Sequence, residues 1–140
     1  MERYVLEALQ KGVITAVAAS DLPAANVKYV GRVFNPPDDA EWLELVYIPN
    51  NPTGEFWGSQ KTYRGVLRLI LHSPMKDQGI YGQIDTLQSI LDNLNKGTRL
   101  ADEGQNVIVK VTEVPNILNT IEEPPEILIP ASIRYSFFSS

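Results

Sequence analysis

Hydrophobic and polar positions along the chain change period several times. In residues 2–19, Leu6, Leu9, Val13 and Val17 recur at three- and four-residue spacing, which gathers apolar side chains on one face of a helix. Gly12 interrupts the stretch at a cost of about 1 kcal/mol relative to alanine. Asp21-Leu22-Pro23 ends it, since proline cannot extend a helix. Residues 27–34 predict a short strand stopped by Asn35-Pro36-Pro37, and residues 41–48 a better one with Leu43, Leu45 and Tyr47 on one face. Residues 63–72 alternate clearly. Leu67, Leu69 and Leu71 point one way, while Arg64, Val66, Arg68, Ile70 and His72 point the other.

A helical period returns over residues 79–94, where Ile80, Ile84, Leu87, Leu91 and Leu94 form the apolar stripe and Gln83, Asp85, Gln88 and Asp92 are assigned to water. Lys96-Gly97 supplies a stop, a cation near the last carbonyls followed by a residue that accepts left-handed geometry. Residues 107–113 predict a strand with Val107, Val109 and Val111 on one face. Residues 131–138 predict the last, with Ala131, Ile133, Tyr135 and Phe137 together. Runs of strands without regular strand–helix alternation predict an α+β domain: an antiparallel or mixed sheet of about four or five strands, with two main helices packed on one face. The length of 140 residues, without internal repeat or linker, fits one domain over residues 1–140.

Two features lie outside this pattern. Residues 49–62 separate two neighbouring strands by about a dozen positions, where a hairpin needs about two to five. The insert is rich in Asn, Pro and Gly, predicts a flexible loop, and carries Phe56 and Trp57 with Lys61 behind them. Such rings either tuck over their own domain or meet a partner, for which aromatic side chains are favoured anchors. The loop residues Phe56, Trp57 and Lys61 are therefore candidate docking residues. The half-apolar strand face of Arg64, Val66, Arg68 and Ile70 is open to the same two readings: a covered second core, or a subunit interface.

Composition narrows the chemistry. With 44% hydrophobic and 21% charged residues the chain reads as an ordinary folded protein. It has no cysteine, which removes disulfides, thiolate nucleophiles and thiolate metal sites, and fits folding in a reducing cytoplasm. A net charge of −5, with 12 basic residues scattered along the sequence, argues against phosphate binding. No apolar run approaches the roughly 18 residues of a membrane span. Residues 13–20 imitate a signal sequence, but Glu2 and Glu7 spoil its basic leader.

The expected motifs of catalysis do not assemble. His72 is the single histidine and reads as a rim residue at a strand end. Asp38, Asp39 and Glu41 are the densest carboxylates and read as a polar turn, without the glycine-bearing spacing of a calcium loop. Gly54 to Thr62 imitates a phosphate loop but has the wrong glycine and lysine spacing. The expectation is no catalytic residue, no metal and no cofactor, with a small enzyme kept as the alternative of a different class.

The ordered set of Asn35-Pro36-Pro37, Ile48-Pro49, Tyr63-Arg64-Gly65-Val66-Leu67, Lys96-Gly97-Thr98-Arg99-Leu100 and Ile129-Pro130 resembles the tail terminator proteins of long-tailed bacteriophages, the family of the lambda-type minor tail protein U. The loop around Phe56 is more aromatic than that pattern, and residues 122–130 are longer and more acidic. The resemblance implies an α+β structural virion protein, assembled in the bacterial cytoplasm, that forms a hexameric ring on the tail tube. That ring stops tube polymerisation and offers a surface for head–tail joining. Implied partners are other copies of the chain, the tail tube protein and a head-completion or neck protein, with DNA passing through without specific binding. A neighbouring tail-completion or head–tail connector protein is the alternative within the same assembly pathway.

Overall fold

The apolar stripe of the first predicted helix sets the scaffold. The computed structural model describes residues 2–49, 53–54, 61–75, 79–102 and 107–139. Helix α1 (Glu2–Ala18) buries Val5, Ala8, Leu9, Val13, Ala16 and Val17, while Leu6 is only half-buried. The buried stripe is thus centred slightly to one side of the predicted one, because small Ala8 and Ala16 let the helix settle closer to its support. Gly12 completes that contact: a Cβ there would lie 2.6 Å from Leu100 Cδ2, so glycine permits the approach of helix to sheet.

In chain order the strands are β1 (Val27–Lys28), β2 (Trp42–Pro49), β3 (Thr53–Gly54), β4 (Lys61–Pro74), β5 (Arg99–Asp102), β6 (Val107–Val111), β7 (Asn116–Ile117), β8 (Ile121–Glu123) and β9 (Glu126–Ser139), with α2 (Tyr81–Asp92) between β4 and β5. They form one sheet in the order β1-β2-β4-β9-β6-β5, with β3 on β4 and β7 and β8 on β9. The β1–β2 pair is parallel and the other described pairs are antiparallel.

Because side chains alternate along a strand, register decides which residues share a face. Leu45 stands opposite Leu69, Leu69 opposite Ala131, and Val111 opposite Tyr135, so the odd-numbered residues of β2, β4, β6 and β9 make one apolar surface. That surface and the two helices enclose a single core, with α1 packed on β5 and β6 and α2 against α1 and β4. The α+β class and the one-sided helices follow the sequence pattern.

Four differences have physical causes. The last strand begins at Glu126, five positions earlier than residue 131, and Ile127 and Ile129 extend its buried row. Pro130 remains in the ladder because its carbonyl accepts from Leu118 N–H at 2.8 Å, which needs no donor on proline. Strands β5, β7 and β8 carry too few apolar residues to announce themselves; they exist by pairing with β6 and β9. Gln83 is buried rather than solvated, its Nε2 donating to the buried Ser73 Oγ at 3.1 Å. Gly97 does adopt a left-handed φ of 89° after α2, and its N–H donates to Val111 O at 2.8 Å.

An uncovered sheet face as the candidate docking site

The even-numbered positions of β2, β4 and β9 point away from both helices. Arg64, Val66, Arg68 and Ile70, the four residues singled out on the sequence as a candidate interface, all lie on this face. Arg64 is exposed and the other three are half-buried. Register brings neighbours to them that sequence spacing does not: Ser136 opposite Arg64, Arg134 opposite Val66, Ser132 opposite Arg68 and Pro130 opposite Ile70.

One end of the face is a closed polar cluster. His72 stands opposite Trp42, and the two rings stack with centroids 3.8 Å apart and planes 5° from parallel. Phe34 also packs on the indole, tilted by 39° with centroids 5.3 Å apart. His72 Nε2 meets Glu44 Oε1 at 2.8 Å and Nδ1 meets Glu126 Oε1 at 2.8 Å. Both contacts are satisfied at once only when two protons are shared across the three groups. His72 is 9% exposed, so the expected rim histidine is instead a buried tie between β2, β4 and β9. Its partners lie 28 and 54 positions away along the chain, beyond the reach of any local motif.

The middle of the face is a shallow apolar groove lined by Ile70, Ile117, Ile121, Leu128 and Pro130, with Arg68 at its side. Arg68 Nε is buried without a hydrogen-bond partner, an exception to the usual pairing of buried polar atoms. The other end is basic. Arg99 stands opposite Lys110, Lys110 opposite Ser136, and Ser136 opposite Arg64, so one row of the sheet carries three cations. Beside that row, Arg64, Thr112, Glu113, Arg134 and Ser136 line a polar depression, with Arg134 Nε 3.4 Å from Glu113 Oε2.

The remaining sequence candidates are dispersed. Phe56 and Trp57 lie outside the described residues. Lys61 opens β4, its backbone opposite Gly54 on one side and Ser139 on the other. Asp38 and Asp39 are exposed in the irregular connection before β2, in keeping with a polar turn. Among the described residues no group of three or more His, Cys, Asp or Glu side chains is placed to hold a metal ion, and no helix is long and apolar enough to cross a membrane. Near the β1 edge, burial holds the Tyr29 hydroxyl above its ordinary pKa, partly opposed by the Arg32 guanidinium 5.4 Å from the ring.

An α+β domain that packs both helices on one sheet face and leaves charged and apolar side chains along the other has the build of a docking protein. The sequence profile of the phage tail terminator protein family matches residues 4–135, and the chain belongs to that family. It is thus a tail-associated structural protein of bacteriophages. One solved structure superposes with a TM-score of 0.80 at 17% identity, covering 98% of this chain and 95% of that one, a likeness of fold alone. No curated protein matches the chain.

Proposed function

We propose that this chain caps the end of the phage tail tube as a closed homo-oligomeric ring, hexameric in the finished tail. The ring stops tube polymerisation and presents the surface on which head and tail join. The family match over nearly the whole domain carries this reading. The helix-free sheet face, with its apolar groove and unpartnered Arg68 Nε, supports self-association through that face. The net charge of −5 suits a ring through which duplex DNA slides without being gripped.

Light scattering or native mass spectrometry over a concentration series, with and without the tube protein, tests the central claim. A ring is expected, at the latest when tube is present. A strict monomer in both series would sink the reading. In a tube-assembly reaction, added protein is expected to shorten the tubes and end their growth, whereas unchanged tube lengths would remove the capping role.

A further inference from the structure

We infer that the basic end of the open sheet face receives the acidic β8–β9 hairpin of the next copy, so that successive subunits join head to tail. This rests on the ring reading above and names the two surfaces that would close it. Arg99 and Lys110 are directly opposite each other, and like charges so placed destabilise a sheet. Arg64 adds a third cation to the row, and Arg134 a fourth beside it, where among the described residues Glu113 is the carboxylate paired with Arg134. A chain that is negative overall has gathered these cations on one patch at an energetic cost, which a negative partner would offset.

The chain carries a matching partner at the opposite end of the sheet, where register puts Glu123 on the open face, opposite Glu126, and Glu122 at the exposed tip on the other face, opposite Ile127. Glu122 and Glu123 are exposed on β8, and the turn of Pro124 and Pro125 joins them to β9. The strand between Glu126 and Ser136 separates acidic tip from basic patch by roughly 30 Å at about 3.4 Å per residue. Complementary patches at opposite ends of one molecule cannot meet within it. They meet between molecules, and a heterologous contact of this kind closes into a ring when its rotation permits. Asp38 and Asp39 are also exposed acidic residues, but they sit on the irregular connection before β2. Carboxylates on a paired, proline-closed hairpin lose less freedom on docking, which favours Glu122 and Glu123.

The test is a charge swap read by sedimentation velocity at low salt, with the tube protein added wherever the wild type needs it to assemble. One variant carries Arg64→Glu and Arg134→Glu, a second Glu122→Lys and Glu123→Lys, and a control Asp38→Lys and Asp39→Lys. All sites are exposed, and circular dichroism checks each fold. Each of the first two variants is expected to need at least about tenfold more protein to assemble, because both make like charges meet. Their equimolar mixture is expected to assemble as the wild type does, since each then supplies what the other lacks. The control is expected to behave as wild type.

A wild-type ring that neither reversal weakens overturns this interface and leaves the ring reading standing. Weakening without rescue in the mixture, or weakening by the control alone, overturns the hairpin as occupant. A wild type that stays monomeric with tube present removes the ring reading and this inference together. Salt-sensitive binding of a 24-base-pair duplex, lost with the two arginines, would assign the patch to phosphates and overturn the inference.

Discussion

Gly65 shows how one residue can be fixed by its surroundings. A Cβ at this position would lie 2.6 Å from Ile48 O and 2.5 Å from the Tyr135 hydroxyl, inside contact distance of both neighbouring strands. Backbone cannot retreat as a side-chain tip can. Gly65→Ala is therefore expected to lower stability by about 1–3 kcal/mol in urea unfolding, and an unchanged midpoint would show that the strands separate freely. His72 makes a comparable point through polarity. Replacing it by alanine removes a ring stacked on Trp42 and leaves Glu44 and Glu126 each without its hydrogen-bond partner on His72. A loss of about 1.5–3 kcal/mol is expected from the charge-assisted hydrogen bonds alone. His72→Phe, which retains the stack, is expected to lose less than His72→Ala. Tyr29 gives a test in pH. Its folded-state pKa is raised above 10.0, so the native state holds the proton more tightly than the unfolded chain. The associated stability is complete below pH 10.0 and falls as pH climbs past that value towards the folded-state pKa. Tyr29→Phe is expected to flatten that part of the alkaline unfolding profile.

Between elements, the join of α2 to β4 depends on more than its leucines. Leu87, Ile90 and Leu91 fill the core, but Gln83 also reaches β4, where Ser73 Oγ accepts its proton and donates to Pro74 O at 3.1 Å. Removing only one partner leaves a buried polar group without its bond. Gln83→Ala is expected to cost about 1–3 kcal/mol. The double variant with Ser73→Ala is expected to cost less than the sum of the two singles, as groups in contact do. Strict additivity in thermal or urea unfolding would show that the bond contributes nothing.

The whole molecule has two unlike faces, one spent on its own core and one left open. Under the proposed function the open face is the docking surface, and the segment between β2 and β4 belongs to the same proposal. As a further part of the proposed function, Phe56 and Trp57 anchor the ring to the tube or neck. Each buried ring would contribute on the order of 1.5–3 kcal/mol before ordering costs. Several copies acting together would turn weak single contacts into firm docking. Replacing both by serine is expected to leave the melting temperature nearly unchanged while impairing tail completion in vitro. A large drop in melting temperature would place the rings in the domain's own core instead, and an unimpaired assay would remove their assembly role.

Periodicity alone determined both helices, the central strands and the α+β class, because burial on one side of a regular element leaves a repeat of two or 3.6 residues. Leu67, Leu69 and Leu71, and Ala131, Ile133, Tyr135 and Phe137, are buried as their alternation requires. The helix stop at Gly97 was equally local. Register was not. The positions of Arg99, Lys110, Ser136 and Arg64 in one row, and of Glu44 and Glu126 around His72, depend on strand pairings across long loops. Strands β5, β7 and β8 are likewise products of pairing, since so few residues carry too weak a pattern to be seen singly. Which residues are buried was written along the chain. Arg99 and Lys110 are paired by the short β5–β6 connection. Arg64 joined their row, and Glu126 reached His72, only when β9 took its place between β4 and β6, because a ladder joins residues by hydrogen bonds and not by sequence distance.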